Sequence, residues 1–201
     1  MKTLKHKLLA ALMILGIIWL GSCGGDDSPE NISIAPFQIM DETTIRLNGV
    51  IGSNTLDAFN EVIRQNPDTE LLIFGEAPGS DDDDVNLQMG RRLYQLALDT
   101  HVEDGGEIAS GAVDLFLAGT RRTLGSNVLV GVHSWSDGVV EAADLPRSHP
   151  DHQLYISYFQ DIGFSAQWAE DFYFFTINAA PADDIHWMTP AEIAQYEMTT
   201  N

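Results

Sequence analysis

This chain predicts an α/β domain with a mainly parallel sheet, and three observations carry that expectation. Continuous apolar runs of strand length occur at 70–74 and 128–132, as in strands covered on both faces. Between them lie stretches whose apolar residues recur at helical spacing. The order strand, helix, strand, helix, helix, strand is that of an α/β domain rather than a bundle or a sandwich.

The chain opens with Met1-Lys-Thr-Leu-Lys-His-Lys7, followed by an almost wholly apolar run from Leu8 to Leu20 and then Gly21-Ser22-Cys23. A basic start, a short apolar stretch and small residues before a cut describe a secretory signal at residues 1–22, shorter than the usual membrane span. Leu20-Gly-Ser-Cys23 resembles the bacterial lipobox, which implies a lipid on Cys23 and a place in the cell envelope, facing the periplasm or the cell surface. Cys23 is the only cysteine, so no internal disulfide can form. Several acyl chains on one residue anchor firmly where one does not. Residues 23–31 then read as an acidic, flexible tether.

All three lysines lie in the signal, so the chain after residue 22 sets seven arginines against thirty acids, a net charge of −23. Such acidity argues against nucleic acid and against an anionic membrane surface as partners. Roughly 170 residues remain, enough for one domain at 32–201 with a real core.

In order, Thr43–Ile51 reads as a strand through Ile45, Leu47, Val50 and Ile51. Ser53 or Asn54 caps a helix with Leu56, Phe59, Val62 and Ile63 on one face, ended by Asn66-Pro67-Asp68. A buried strand follows at 70–74, then a turn around Pro78-Gly79-Ser80. Asp81–Asp84 caps the next helix, Val85 to about Leu98. That run lacks the Asp-x-Asp-x-Asp-Gly spacing of a calcium loop, so a solvated helix cap is expected. A short segment, 101–108, leads through Gly105-Gly106 to Ser110 and an apolar helix stopped near Gly119. Val128–Val132 is a strand ending at His133. A further helical stretch runs from about His152 to Phe172, and its aromatic residues are expected in the core.

Ser110 at a helix start and His133 at a strand end are the candidate chemistry. Free amides and the helix dipole stabilise an oxyanion beside a serine hydroxyl, and a histidine supplies the base. Taken alone, Ser110 reads better as an ordinary N-cap and His133 as an incidental strand-end residue. Ligands of such sheets bind at the carboxyl ends of the strands, where the Pro78–Ser80 turn, Ser110 and His133 all fall. His149 and His152, three apart with an aspartate between, have no evident third ligand, and His186 lies far along the chain, so no metal and no cofactor are expected.

In these residues the chain resembles the Clp-type serine peptidases of the ClpP/crotonase fold, and their secreted bacterial relatives most. Ile45-Arg-Leu-Asn-Gly-Val-Ile51 is similar to the family's opening strand and Glu76-Ala-Pro-Gly-Ser80 to its Ser-Pro-Gly-Gly turn. Ile108-Ala-Ser110-Gly-Ala-Val resembles its nucleophile helix and Gly131-Val-His133 its histidine strand. Ile185–Ile193 is similar to its closing segment. The resemblance implies Ser110 as nucleophile, His133 as base, and the amides of Gly111 and of Gly79 or Ser80 as the oxyanion hole. Asp183 and Asp184 stand nearest to the family's third triad member. A peptide or protein substrate and an oligomer are further implications.

Without lysine after residue 22 the serine–lysine dyad of related proteins is excluded, and an α/β-hydrolase is disfavoured because its Gly-x-Ser-x-Gly elbow is absent and its partners run Ser, acid, His. A lipid-anchored binding protein that keeps the fold without its chemistry stays open.

Overall fold

A computed structural model describes residues 33–200. The described residues form one compact unit. The signal, Cys23 and the tether lie outside the described residues.

Eight strands form one sheet in the order β1-β2-β3-β4-β5-β7-β8, with β6 also paired to β5. The strands are β1 Ser33–Ile34, β2 Phe37–Ile39, β3 Thr44–Leu47, β4 Leu71–Ala77, β5 Asp99–Ala109, β6 Arg122–Leu124, β7 Leu129–Val132 and β8 His186–Trp187. The centre, β3-β4-β5-β7, is parallel, while β1, β2 and β8 join antiparallel at the edges. Among the described residues six α-helices accompany it: α1 Thr55–Gln65, α2 Asp83–Gln95, α3 Gly111–Leu117, α4 His152–Asp161, α5 Ala166–Ala179 and α6 Pro190–Gln195. The expected α/β class, with a mainly parallel sheet and flanking helices, is what forms.

Four details depart from the sequence reading. The short segment before Ser110 is the N- and C-terminal halves of β5, the longest strand, at eleven residues. The 152–172 stretch is two helices, because Gly163 takes a left-handed φ of +100° and Ser165 caps a new helix through Trp168 N. The strand expected at 43–51 is regular only over Thr44–Leu47, and Ile51 rejoins the sheet as a single bridge to Ser80. The α1 N-cap is Asn54 without a side-chain bond, while Ser53 turns away to Asp82.

Register explains how β5 reaches the site. Its N-terminal half pairs with β4 at an offset of 28 (Leu71↔Asp99) and its C-terminal half at 31 (Glu76↔Glu107), so β5 carries three extra residues. Against β6 and β7 the offset stays at 22, from Thr100↔Arg122 to Glu107↔Leu129. β6 and β7 are therefore one strand interrupted at 125–128, and that strand follows β5 through its irregular stretch. The interruption is tied across: Gly105 N donates to Ser126 O at 2.8 Å, and Ser126 N to Asp104 Oδ1 at 2.7 Å. Arg46 of β3 clamps the start of this stretch with a two-pronged ion pair to Glu103. The pair holds the Glu103 carboxyl below its ordinary range, the Arg46 hydrogen bond being the main cause.

The core sits between the sheet and its helices. Leu72 and Phe74 of β4 and Val102 and Ile108 of β5 are buried, as are Leu87 and Leu93 of α2 and Leu115 and Phe116 of α3. Helix α3 is apolar on nearly every side, and six of its seven residues are buried. Burying a Leu or Phe side chain contributes roughly 1.5–3 kcal/mol. Helix α3 is thus fixed in place, and so is the residue that precedes it.

Candidate active site

The strand-to-helix corner sets Ser110. Its amide donates to Gly131 O at 2.9 Å, keeping the end of β5 paired with β7. Then the chain turns sharply: Ser110 has φ +52° and ψ −132°. An ordinary N-cap serine has extended backbone and spends its hydroxyl on an amide of the first helical turn. Ser110 does neither, since no side-chain cap bond forms. A side chain at positive φ costs on the order of 1–3 kcal/mol, and such strain collects at functional sites. The hydroxyl is left uncommitted at a corner that glycine would occupy more cheaply.

Two glycines press on it. Gly79 has φ +136°, and a Cβ there would lie 2.9 Å from Ser110 Cβ. A Cβ on Gly111 would overlap Ser80 Oγ and come within 2.8 Å of Asn86 Nδ2. The Pro78–Ser80 turn therefore packs directly on the corner. Gly111 opens α3, so its amide has no partner within the helix. At Ser80 the chain bridges Ile51: Ile51 N donates to Gly79 O and Asp81 N to Ile51 O, both at 2.9 Å. In a parallel bridge those bonds come from the flanking residues, so the Ser80 amide points away from Ile51. Gly79, Ser80 and Gly111 are thus gathered around Ser110.

His133 follows β7, the strand beside β5. It lines the same two cavities as Ser110: an inner one of about 50 Å³, and a cleft of about 280 Å³ bounded also by Val50 and Pro78–Asp81. The two side chains are not hydrogen-bonded to each other, a contact that often tightens only when substrate binds. Nδ1 of His133 is buried and has no hydrogen-bond partner. Asp183 and Asp184 are exposed, and Asp184 Oδ1 accepts from Ile185 N at 2.8 Å. Neither carboxylate reaches the imidazole, so the structure brings Ser110 and His133 together but not the expected acid.

The acidic run divides its labour. Asp82 caps α2 through Val85 N and accepts from Ser53 Oγ, and the Ser53 hydroxyl is the main reason its carboxyl titrates low. Asp81 and Asp84 are exposed. Asp83 turns inward and lines the inner cavity, accepting from Ser80 Oγ and from Tyr155 Oη, each at 2.5 Å.

The cavity's far wall is aromatic. Trp135 stacks on Tyr155 with ring centres 6.2 Å apart, and Tyr155 on Tyr173 at 5.6 Å. Burial raises the Tyr155 phenol well above its ordinary value, with Asp83 adding to the effect, and pushes Tyr173 up to about 12. Both stay neutral. The wall is braced by a chain of bonds: Trp135 Nε1 donates to Tyr173 Oη at 3.0 Å, and Tyr173 Oη contacts His152 Nδ1 at 2.7 Å. His152 Nε2 lies 3.1 Å from Pro146 O, which can only accept. The imidazole is therefore protonated at Nε2, and Tyr173 donates to Nδ1. His152 is a fully satisfied core residue.

Asp83, Asp114, Tyr155 and Tyr173 were not singled out as site residues from the sequence. For Asp114 a signal existed, because a residue four beyond Ser110 lies one turn along the same helix face.

No family model matches the sequence, and no curated protein matches it. Solved structures do. ClpP1 from Listeria monocytogenes superposes with a TM-score of 0.54 at 15% identity, over 79% of this chain and 89% of that one. A mutant of the 1510-N membrane-bound stomatin-specific protease gives 0.51 at 19%, over 78% of this chain and 76% of that one. At such identities the likeness speaks to architecture alone. This chain has the ClpP/crotonase fold, in the form seen in Clp-like serine peptidases.

Proposed function

We propose that this protein is a serine hydrolase of peptidase type, with Ser110 as nucleophile and His133 as general base. The observation that carries the reading is the corner at Ser110, a non-glycine residue at φ +52° with its hydroxyl free, facing a cavity it shares with a histidine. The amides of Gly111 and of Gly79 or Ser80 would receive the oxyanion, where preorganised donors contribute most to acyl transfer. A peptide or protein chain is the substrate class that the cleft beside Gly79–Asp81 suits. A fluorophosphonate probe tests the reading: it should label the wild-type protein at Ser110, and Ser110→Ala should abolish the label. No labelling across pH 5–9 would overturn it.

A second reading is favoured by one observation. His133 Nδ1 lacks a partner, and a working triad needs a group to orient the imidazole and support its charge. A non-catalytic binding protein on the same fold would need none, and it would bind peptide in the cleft without turnover. The same labelling experiment separates the two.

We infer further that a lipid on Cys23 holds the domain at the cell envelope through the acidic tether. Cys23→Ala should move the protein from the membrane fraction to the soluble one.

A further inference from the structure

Beyond the nucleophile lies an inner cavity whose chemistry is unlike that of a plain apolar subsite. Its floor is Asp114, one turn along α3 from Ser110. Asp114 is partly buried and lines the cavity, and its carboxyl accepts no hydrogen bond from another residue. The second carboxylate, Asp83, has both oxygens occupied by hydroxyl donors and sits close enough to repel Asp114. Neither arginine nor lysine lines the cavity. Burial raises the Asp114 carboxyl well above its ordinary value, and the Asp83 charge adds to the effect. The walls include the stacked rings of Tyr155 and Tyr173, apolar surface beside the carboxyl.

We propose that this cavity is the pocket for the substrate side chain on the acyl side of the scissile bond, and that it selects a slender cationic side chain of the lysine class. The inference rests on the serine hydrolase reading and deepens it. A primary ammonium supplies the donors that the Asp114 carboxyl lacks, and its aliphatic stem packs against the rings. An acidic side chain meets two carboxylates, Asp83 and Asp114.

The test uses the full chain and fluorogenic peptide amides that differ only at the residue before the cleaved bond: lysine, norleucine, phenylalanine or glutamate. Lysine should exceed its neutral isostere norleucine by about 100-fold in kcat/KM, since a site built for a hydrogen-bonding group rejects the analogue lacking it. Asp114→Asn should erase that ratio and Asp114→Glu should retain part of it. Equal rates for lysine and norleucine in fluorophosphonate-reactive wild-type protein would overturn the pocket assignment and leave the hydrolase reading standing. If the probe does not react, the hydrolase reading falls, and calorimetric binding of acetyl-lysine methylamide against acetyl-norleucine methylamide decides the pocket by itself. Tighter binding of the lysine compound would support the pocket, and no difference would overturn it.

Discussion

The two halves of the candidate site are built to different standards. The Ser110 half is over-determined: a buried helix behind it, two glycines packed on it, a strand amide bonded across to Gly131, and a backbone angle held against its own preference. The His133 half is under-determined, with one ring nitrogen buried and unpaired at the head of a long loop. A buried polar group without a partner costs about 1–3 kcal/mol. The comparison teaches that the fold invests in placing the hydroxyl and leaves the imidazole to be oriented by something else, such as bound substrate.

The largest way to break the contrast is to delete the nucleophile. Ser110→Ala should cut turnover by about 10³-fold or more, since residues acting as one unit fail together. His133→Ala should match it in the same assay, and a much smaller effect there would show that the two halves are not one device. Asp183→Asn and Asp184→Asn sharpen the point. Replacing a true third triad member costs about 10⁴-fold, whereas these variants should stay within about tenfold of wild type in kcat.

Next come changes to the packed half. Gly111→Ala must displace Ser80 or Asn86, and Gly79→Ala must hold a positive φ against Ser110. Each should lower stability by about 2–4 kcal/mol in urea unfolding. Ser110→Gly runs the other way. Relief of backbone strain, less the extra entropy of glycine in the unfolded chain, should leave it about 1 kcal/mol more stable and inert to the probe.

The smallest effect concerns the brace on β5. The Glu103 carboxyl titrates below its ordinary 4.5 because of Arg46, so the ion pair stabilises the fold above that pH. The contribution is lost as pH falls through the lower folded value. Both side chains are partly exposed, which limits it to about 1 kcal/mol or less. Glu103→Gln should flatten stability below pH 4.5 and leave probe labelling intact.

Much of this was legible in the chain. The apolar runs of β4 and β7 marked the central strands, and a wholly apolar α3 announced a buried helix. β5 was not legible, because its partly buried and exposed positions carry Asp99, His101, Glu103, Asp104 and Glu107, and a glycine pair interrupts its period of two. The break between α4 and α5 was written in Gly163 and Ser165, yet the aromatic residues on both sides sustain one helical pattern across it. Ser110 and His133 were readable from their neighbours. The backbone strain at Ser110 was not, since no residue type encodes it. Asp114 was hidden by company: one acid in an apolar helix reads as a tolerated surface residue until the cavity beneath it is seen.

The constant offset of 22 between β5 and its neighbour means the two travel as a ribbon, and a ribbon edits only in pairs. Removing a single residue from 103–106 would turn every later side chain of β5 to the opposite face, carrying the hydroxyl out of its cleft while the sheet still closed. Chains that drift in length at this place can keep the site only if residues 125–128 lose or gain the same number.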